Sequence, residues 1–219
     1  MIQCSTMFRT MAPTALMLGL AMLAGCGWLA AAEQKAKGTE MLPQYQGLED
    51  KSVAIVVYPD LAVTNEFPAA REEISNFIEQ QFKMHMPKTR LMNSRDVMRW
   101  QDETMNWWAL SPVDIGKRFN VDRVLYIELR AYEAKNRQSH GDLQGRVEAT
   151  CSIYEIDQDR GVPAWRGEVQ SKWPLDAPLP AWRTNEAFVR RQALEQFADK
   201  LVKSFYAWRD YGTRIRDRG

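Results

Sequence analysis

The chain has 219 residues and a formal net charge of +1, from 29 basic and 28 acidic side chains. This balance excludes the basic footprint that a nucleic-acid-binding protein usually carries. The length is sufficient for a domain with a substantial hydrophobic core.

Residues 1–25 have the three parts of a secretion signal. Arg9 supplies a short basic region, and an apolar stretch follows from Met11 to Leu23. This stretch is too short to remain in a bilayer as a spanning helix. We therefore predict a signal peptide that is cleaved from the mature protein.

The sequence Leu-Ala-Gly-Cys, which ends at Cys26, closes the apolar stretch and resembles a lipobox. A thiol is needed there because the thioether to diacylglycerol forms on sulfur. We predict that Cys26 carries the lipid anchor, including palmitate, since each buried methylene contributes about 0.8 kcal/mol. The alternative is an ordinary signal peptide with a cysteine there by chance.

Gly27 stands where some bacteria use Asp for inner-membrane retention, which favours a periplasm-facing position on the outer membrane of the cell envelope.

Three cysteines are present, and only one is left as a thiol in the predicted mature protein. Cys4 is removed with the signal, Cys26 is lipidated, and Cys151 remains. No intramolecular disulfide can then form, although the compartment is oxidising. The predicted divisions are the signal peptide (1–25), the lipidated cysteine and a flexible tether (26–50), one α/β domain (51–206) and a basic C-terminal tail (207–219).

The first half of the predicted domain alternates strands and helices. An unbroken apolar run at 53–58 is typical of a strand that is covered on both faces. Apolar residues at helical spacing predict a helix over 69–85, followed by a short strand near 89–92. Ser94 is the expected N-cap of the next helix, and Ser111 caps another that reaches Phe119.

The second half of the predicted domain contains mainly strands. A buried strand over 124–130 is followed by two-residue alternation over 147–153 and 165–173, which predicts a hairpin with one wet face. A last helix is expected over 184–205. The predicted fold is α/β (α+β), with a mixed four- to five-stranded sheet, helices mainly on one face and the order β-α-β-α-α-β-β-β-α.

The sequence shows no catalytic constellation. His85 ends a predicted helix as a capping or core-edge residue, and His140 lies in a polar loop. Cys151 alternates in phase with apolar residues, which indicates a core position. No Cys or His spacing fits a metal site, and neither a phosphate-binding glycine loop nor a Gly-x-Ser-x-Gly elbow is present. We therefore predict a protein that is not an enzyme and has no cofactor and no metal.

Tryptophan is the unusual feature, with eight residues in the chain. Trp100, Trp107 and Trp108 crowd the segment before the helix that starts at Ser111. One interpretation makes them lids of the core. The other makes at least one indole an anchor for a partner, because Trp is enriched at binding hot spots. Trp182, after a proline-rich stretch, is a second candidate for partner binding.

One further pattern indicates a family. The first strand Val-Ala-Ile-Val-Val-Tyr and the segment from Ile115 to Ile127, with Gly116-Lys117 on the helix and Asp-Arg-Val-Leu at the next strand, resemble a group of envelope lipoproteins. The group includes the curli-secretion lipoprotein family, lipoprotein activators of peptidoglycan synthases and the amino-terminal domain of TolB. The resemblance covers residues 51–205 and implies proteins that bind other proteins or assemble into rings. No catalytic residue carries over.

These observations lead to one principal hypothesis and two others. The principal hypothesis is an anchored adaptor without enzymatic activity that contacts the membrane through Cys26 and binds an unidentified envelope protein, without nucleic acid. The first alternative is a ring-forming structural subunit of an export or envelope-assembly complex, which implies a homo-oligomer. A degradative enzyme ranks third.

Overall fold

The computed structural model describes residues 38–135, 141–158 and 161–212. No helix in these ranges is both long and apolar enough to cross a membrane. The predictions that fall outside the described residues concern the signal peptide (1–25), Cys26, His140 and the end of the tail (213–219).

The described elements follow one another along the chain as strands β1 to β8 and helices α1 to α5. In chain order they are β1 (Thr39–Met41), β2 (Ser52–Pro59), α1 (Leu61–Glu66), α2 (Ala70–His85), β3 (Arg90–Leu91), α3 (Ser94–Glu103), α4 (Pro112–Phe119), β4 (Arg123–Lys135), β5 (Asp142–Glu155), β6 (Trp165–Trp173), β7 (Leu179–Pro180), α5 (Glu186–Lys203) and β8 (Trp208–Asp210). A short 3-10 turn at Trp107–Ala109 precedes α4.

The main unit, Leu42–Ala207, is built on one mixed sheet. Its strand order is β3-β2-β4-β5-β6, and β7 pairs with β5. β2 runs parallel to β3 and β4, whereas the β4–β5 and β5–β6 pairs are antiparallel. The predicted mixed α/β fold is confirmed. The sheet has six strands because β3 and β7 add two residues each.

β2 is buried on both faces, as its apolar run predicts. Val53, Ile55 and Val57 join a large core cluster with residues of α2 and α5. Ala54 and Val56 join a smaller cluster on the opposite face, with residues of α3 and α4. A strand that buries both faces has no polar side to display, so its sequence cannot alternate.

Helices cover both faces of the sheet. The two longest, α2 and α5, lie on one face, as predicted. α3 and α4 cover the opposite face through Val97 and Ile115. Helix α1 is absent from the predicted order, although Asp60 caps it by accepting a hydrogen bond from the backbone N–H of Ala62 at 2.9 Å.

The helix starts agree with their capping signals, with one shift. Ser111 caps α4, and its Oγ accepts a hydrogen bond from the N–H of Asp114 at 3.1 Å. α3 is capped by Asn93, one residue before the predicted Ser94, because the Asn93 side chain accepts from the N–H of Arg95. Both residue types are good N-caps, so the sequence alone could not choose between them.

The β5–β6 hairpin has the predicted alternation of side chains. However, fewer side chains on its outer face are exposed to solvent than this alternation predicts. Val147, Cys151 and Ile153 are fully buried on the core side. Thr150 and Ser152 are buried as well, although the alternation assigns them to the wet face. Ion pairs between longer side chains of β4 and β6 lie on that face and shield the two short hydroxyl side chains: Arg130–Glu168 at 2.9 Å and Glu128–Arg166 at 3.5 Å.

The flexible-tether prediction for 26–50 is wrong for residues 42–50. Leu48 is fully buried, and the hydroxyl of Tyr45 donates a hydrogen bond to Glu155 at 2.6 Å. The N–H groups of Gln44 and Tyr45 both donate to the carbonyl of Ser204. The segment is held by one aromatic residue, Tyr45, and one aliphatic residue, Leu48. Two such residues are too few to produce a periodic pattern in the sequence.

The described residues of a small second unit include two short strands. β1 pairs antiparallel with β8, with Thr39 opposite Asp210 and Met41 opposite Trp208. The first residues of the predicted tail therefore form a strand.

Candidate functional site

The 3-10 turn at Trp107–Ala109 divides the two adjacent tryptophans between core and surface. Asn106 precedes the turn in the left-handed conformation, with φ 59°, which Asn tolerates better than most residues. Trp107 is 5% exposed and Trp108 is 51% exposed. Because side chains advance by about 120° per residue in a 3-10 turn, the two indoles leave the backbone in different directions.

Trp107 belongs to the smaller core cluster and holds its neighbours in place. Its ring meets that of Tyr58 edge to face at 5.6 Å and that of Trp108 at 6.3 Å. Trp100, which is partly buried, lies 6.3 Å from Trp107 and packs edge to face on Phe119 at 5.2 Å. The outer indole of Trp108 is therefore supported by a rigid aromatic layer.

Trp108 borders a crevice of about 380 Å³. The crevice lies beyond the carboxyl end of β2, where the chain turns into α1 and where α3 ends. Open α/β sheets usually bind ligands at the carboxyl ends of their strands. The lining residues are Tyr58, Pro59, Leu61, Thr64, Arg71, Gln101, Asp102, Trp107 and Trp108.

Two polar interactions fix the walls of the crevice. The Gln101 side chain, which is buried, donates from Nε2 to the carbonyl of Val57 at 3.1 Å and so ties α3 to β2. Arg71 of α2 donates to Asp102 of α3 at 2.5 Å across the opening. The crevice therefore has an apolar floor and a charged rim, and its shape is set before anything binds.

Large apolar side chains are exposed at this crevice and next to the tryptophan turn in the chain. Leu61 is 73% exposed and Tyr58 37% exposed, and both line it. Met105 and Leu110, which flank the tryptophan turn in the chain, are exposed as well. We call Tyr58, Leu61, Met105, Trp108 and Leu110 the Trp108 surface.

The four tryptophan candidates have different positions. Trp107 is a core residue at the floor of the crevice, and Trp100 is partly buried and packs on Phe119. Trp108 is half-exposed. Trp182 is 83% exposed away from the crevice, with the guanidinium of Arg183 over its ring at 5.3 Å.

The remaining candidates have ordinary environments. Cys151 is fully buried, as predicted, and burial raises the pKa of its thiol. His85 lies exposed in the last turn of α2 with its ring stacked on Tyr206 at 4.8 Å. The described residues contain no cluster of His, Cys, Asp or Glu that could hold a metal ion.

Sequence reasoning missed Tyr58 and Leu61. Tyr58 is the last apolar residue of the β2 run and was assigned to the buried strand, although it points into the crevice. Leu61 lies between the predicted strand at 53–58 and the predicted helix over 69–85, in a segment for which no element is predicted. Asp60 was the available signal, since an Asp before a short apolar segment is a helix N-cap.

Comparisons with known proteins find similar structures but no matching family. No protein-family model matches the chain, and no curated protein matches it. The chain is similar to the PelC dodecamer from Paraburkholderia phytofirmans, with a TM-score of 0.44, 11% identity, and coverage of 74% of this chain and 94% of that one.

Two further solved structures are similar to a comparable degree. Lipoprotein GNA1162 from Neisseria meningitidis has a TM-score of 0.44 and 14% identity, covering 70% of this chain and 99% of that one. Protein XCC0632 from Xanthomonas campestris, of the DUF330 family model, has a TM-score of 0.47 and 11% identity, covering 75% and 90%. These similarities assign the chain neither a family nor a function, and the families named from the sequence resemblance stay predictions.

Proposed function

We propose that this chain is a lipid-anchored adaptor of the bacterial envelope, without enzymatic activity, that binds another protein through the Trp108 surface. The observation that carries the proposal is the half-exposed indole of Trp108, which lies on a rigid aromatic layer beside a preformed crevice. Rigid aromatic side chains lose little conformational entropy when they are buried, which makes them effective anchors.

The energy available at Trp108 is sufficient for a binding hot spot. A tryptophan buries about 150–250 Å² when it is fully covered. Covering the exposed half would therefore stabilise a complex by about 2–3 kcal/mol at 25 cal/mol per Å². That is the range in which single residues dominate an interface.

The position of the Trp108 surface suits an anchored protein. The described chain enters the main unit through Tyr45 and Leu48, just before the amino end of β2. The crevice lies at the carboxyl end of β2, about 26 Å away for an eight-residue strand. Within the main unit, the segment through which the chain enters the sheet and the Trp108 surface therefore lie at opposite ends of β2.

Purification from native envelopes after crosslinking tests the proposal. The wild-type chain should retain an envelope protein, and Trp108→Ala should lose it while still folding. Trp182→Ala is the matched control, because it removes an exposed indole outside the crevice. Retention of the same proteins by both variants would contradict the proposal.

The ring-forming subunit is the second candidate, and the outer edge of β6 is the part of the sheet that could pair with another copy. In the described part of the chain, β6 pairs with β5 alone along nine residues. An unpaired edge can add a strand from another copy. The carbonyl of Gln170 already accepts a hydrogen bond from Lys200 Nζ at 3.0 Å, and three alternating residues of β6 are charged: Arg166, Glu168 and Lys172. Both features oppose such pairing. Size-exclusion chromatography at several concentrations separates the candidates, since only a ring would elute as a defined large species.

A further inference from the structure

The crevice at Trp108 is the middle part of a longer groove. A cavity of about 450 Å³ between α2 and α3 shares Arg71 and Asp102 with it. A cavity of about 300 Å³ at the end of β2, beside residues 128–130 in the middle of β4, shares Tyr58 and Leu61 with it. The three cavities therefore adjoin at the carboxyl end of β2. We call them together the carboxyl-edge groove.

The carboxyl-edge groove is apolar at its centre and charged towards both ends, where both carboxylates and guanidinium groups line it. Leu61 and Trp108 form the centre. Glu72 and Glu103 line the cavity on the α2–α3 side, and Asp60 lines the cavity on the β4 side. All three carboxylates belong to exposed residues.

Most cations of the groove are neutralised within the chain. Arg71 pairs with Asp102 at 2.5 Å, Arg99 pairs with Asp96 at 3.6 Å, and Arg130 pairs with Glu168 at 2.9 Å. Arg95 also lines the groove and, among the described residues, has no ion pair. In the same part of the chain, Glu72 and Glu103 have no ion pair with Lys, Arg or His. Two unpaired carboxylates therefore face one unpaired guanidinium in the α2–α3 cavity, which leaves an excess of negative charge available to a ligand.

We propose that the carboxyl-edge groove binds a segment of a partner protein in which one large apolar side chain is flanked by lysine or arginine residues. This inference deepens the proposed function and rests on it. The apolar side chain enters the crevice and packs on Trp108 and Tyr58. The flanking cations then lie near Glu72 and Glu103 on one side and near Asp60 on the other.

The charges of the groove favour a partner segment flanked by basic residues over one flanked by acidic residues. Like charges across an interface disfavour a complex, and opposite charges accelerate encounter and set the register. A segment flanked by Asp or Glu would bring carboxylates against Glu72, Glu103 and Asp60. The same repulsion disfavours a phosphate backbone.

Two labelled synthetic peptides test the inference by fluorescence anisotropy with the full lipidated chain in a neutral detergent. Both peptides have the same length and one central Phe, which is flanked by Lys in one and by Glu in the other. The Lys peptide should bind at least tenfold more tightly, and its affinity should fall at least threefold when salt rises from 50 to 300 mM, because exposed charges are screened.

Variants separate the two contributions to binding. Trp108→Ala should lower the affinity for the Lys peptide at least tenfold. The double variant Glu72→Gln, Glu103→Gln should lower this affinity about fivefold and remove most of its dependence on salt. Trp182→Ala should bind as the wild type does. The inference is overturned if the two peptides bind equally, if neither binds, or if the double variant keeps full affinity.

The two proposals can fail separately. If envelope proteins are retained through Trp108 but the Lys peptide shows no preference, only the inference about partner charge is wrong. If the Lys peptide binds as described and no envelope protein depends on Trp108, the proposed adaptor function is wrong and the groove's preference stands.

Discussion

The indole rings of Trp107 and Trp108 meet edge to face, with centroids 6.3 Å apart and an interplanar angle of 81°. One ring is 5% exposed and the other 51% exposed. Two identical residues, adjacent in sequence and in contact in space, therefore have different roles. Trp107 holds the aromatic layer together, and Trp108 presents its outer face.

Replacing each tryptophan by alanine should separate these roles. Trp107→Ala should lower the free energy of unfolding by about 3–5 kcal/mol, because it leaves a cavity among Tyr58 and Trp100. Trp108→Ala should lower it by about 1 kcal/mol or less, since half of the side chain is already in water. Denaturant titration measures both. Equal, severe destabilisation by the two variants would assign Trp108 to the core.

Cys151 should be chemically quiet in the folded protein. Its side chain is fully buried and burial raises the pKa of the thiol, so almost no thiolate is available at neutral pH. Iodoacetamide should modify it slowly in buffer and rapidly in denaturant, as followed by mass spectrometry. Cys151→Ala should stay folded with a loss of about 1 kcal/mol. Equal rates in the two conditions would contradict the strand phase.

Asp122 should make stability depend on pH. Hydrogen bonds from the N–H and the hydroxyl of Ser52, both at 2.7 Å, hold the pKa of the Asp122 carboxyl below its ordinary value. A lowered pKa in the folded state stabilises the protein above the unfolded pKa, about 3.9, and this contribution is lost as the pH falls through the folded pKa.

The variant Asp122→Asn measures that contribution. It should lower the free energy of unfolding by about 1 kcal/mol at pH 7, a value discounted for the partial exposure of the carboxylate. The difference from the wild type should shrink as the pH falls below about 4. Glu66→Gln, at an exposed residue, is the control. A difference that stays constant from pH 7 to pH 3 would exclude the ionised carboxylate as the cause.

Lipid attachment is tested at Cys26. Cys26→Ser should move the protein from the membrane fraction to the periplasmic fraction and abolish palmitate labelling, because only sulfur forms the thioether. Fractionation and metabolic labelling measure the two effects. Cys4→Ser is the control, since that residue is removed with the signal. Persistent labelling of the Cys26→Ser variant would disprove the lipobox interpretation.

Elements set by local chemistry could be predicted from the sequence. The apolar run of β2, the Ser111 cap of α4 and the phase of Cys151 in β5 all follow from neighbours in the chain. Each signal lies within a few residues of the element that it specifies. In the folded protein, the packing of these elements agrees with the spacing of their apolar residues in the sequence.

The carboxyl-edge groove could not be predicted in the same way. Its walls come from β2, α1, α2, α3 and β4, and only the fold brings these segments together. The sequence also could not decide which indole faces water, because this depends on the left-handed backbone at Asn106 before the 3-10 turn. Leu48 and Tyr45 were missed because isolated apolar residues carry no periodicity.

Photo-crosslinking in intact cells tests the central claim most directly. A photoreactive amino acid at position 61, which lines the same crevice as Trp108, should give one discrete adduct with an envelope protein in the full-length anchored chain. The same amino acid at position 182, which is also exposed, should not give that adduct. The position-61 adduct should persist when Trp182 is changed to Ala and disappear when Trp108 is changed to Ala. Absence of an adduct from position 61, its persistence in the Trp108→Ala variant, or the same adduct from position 182 would contradict the account.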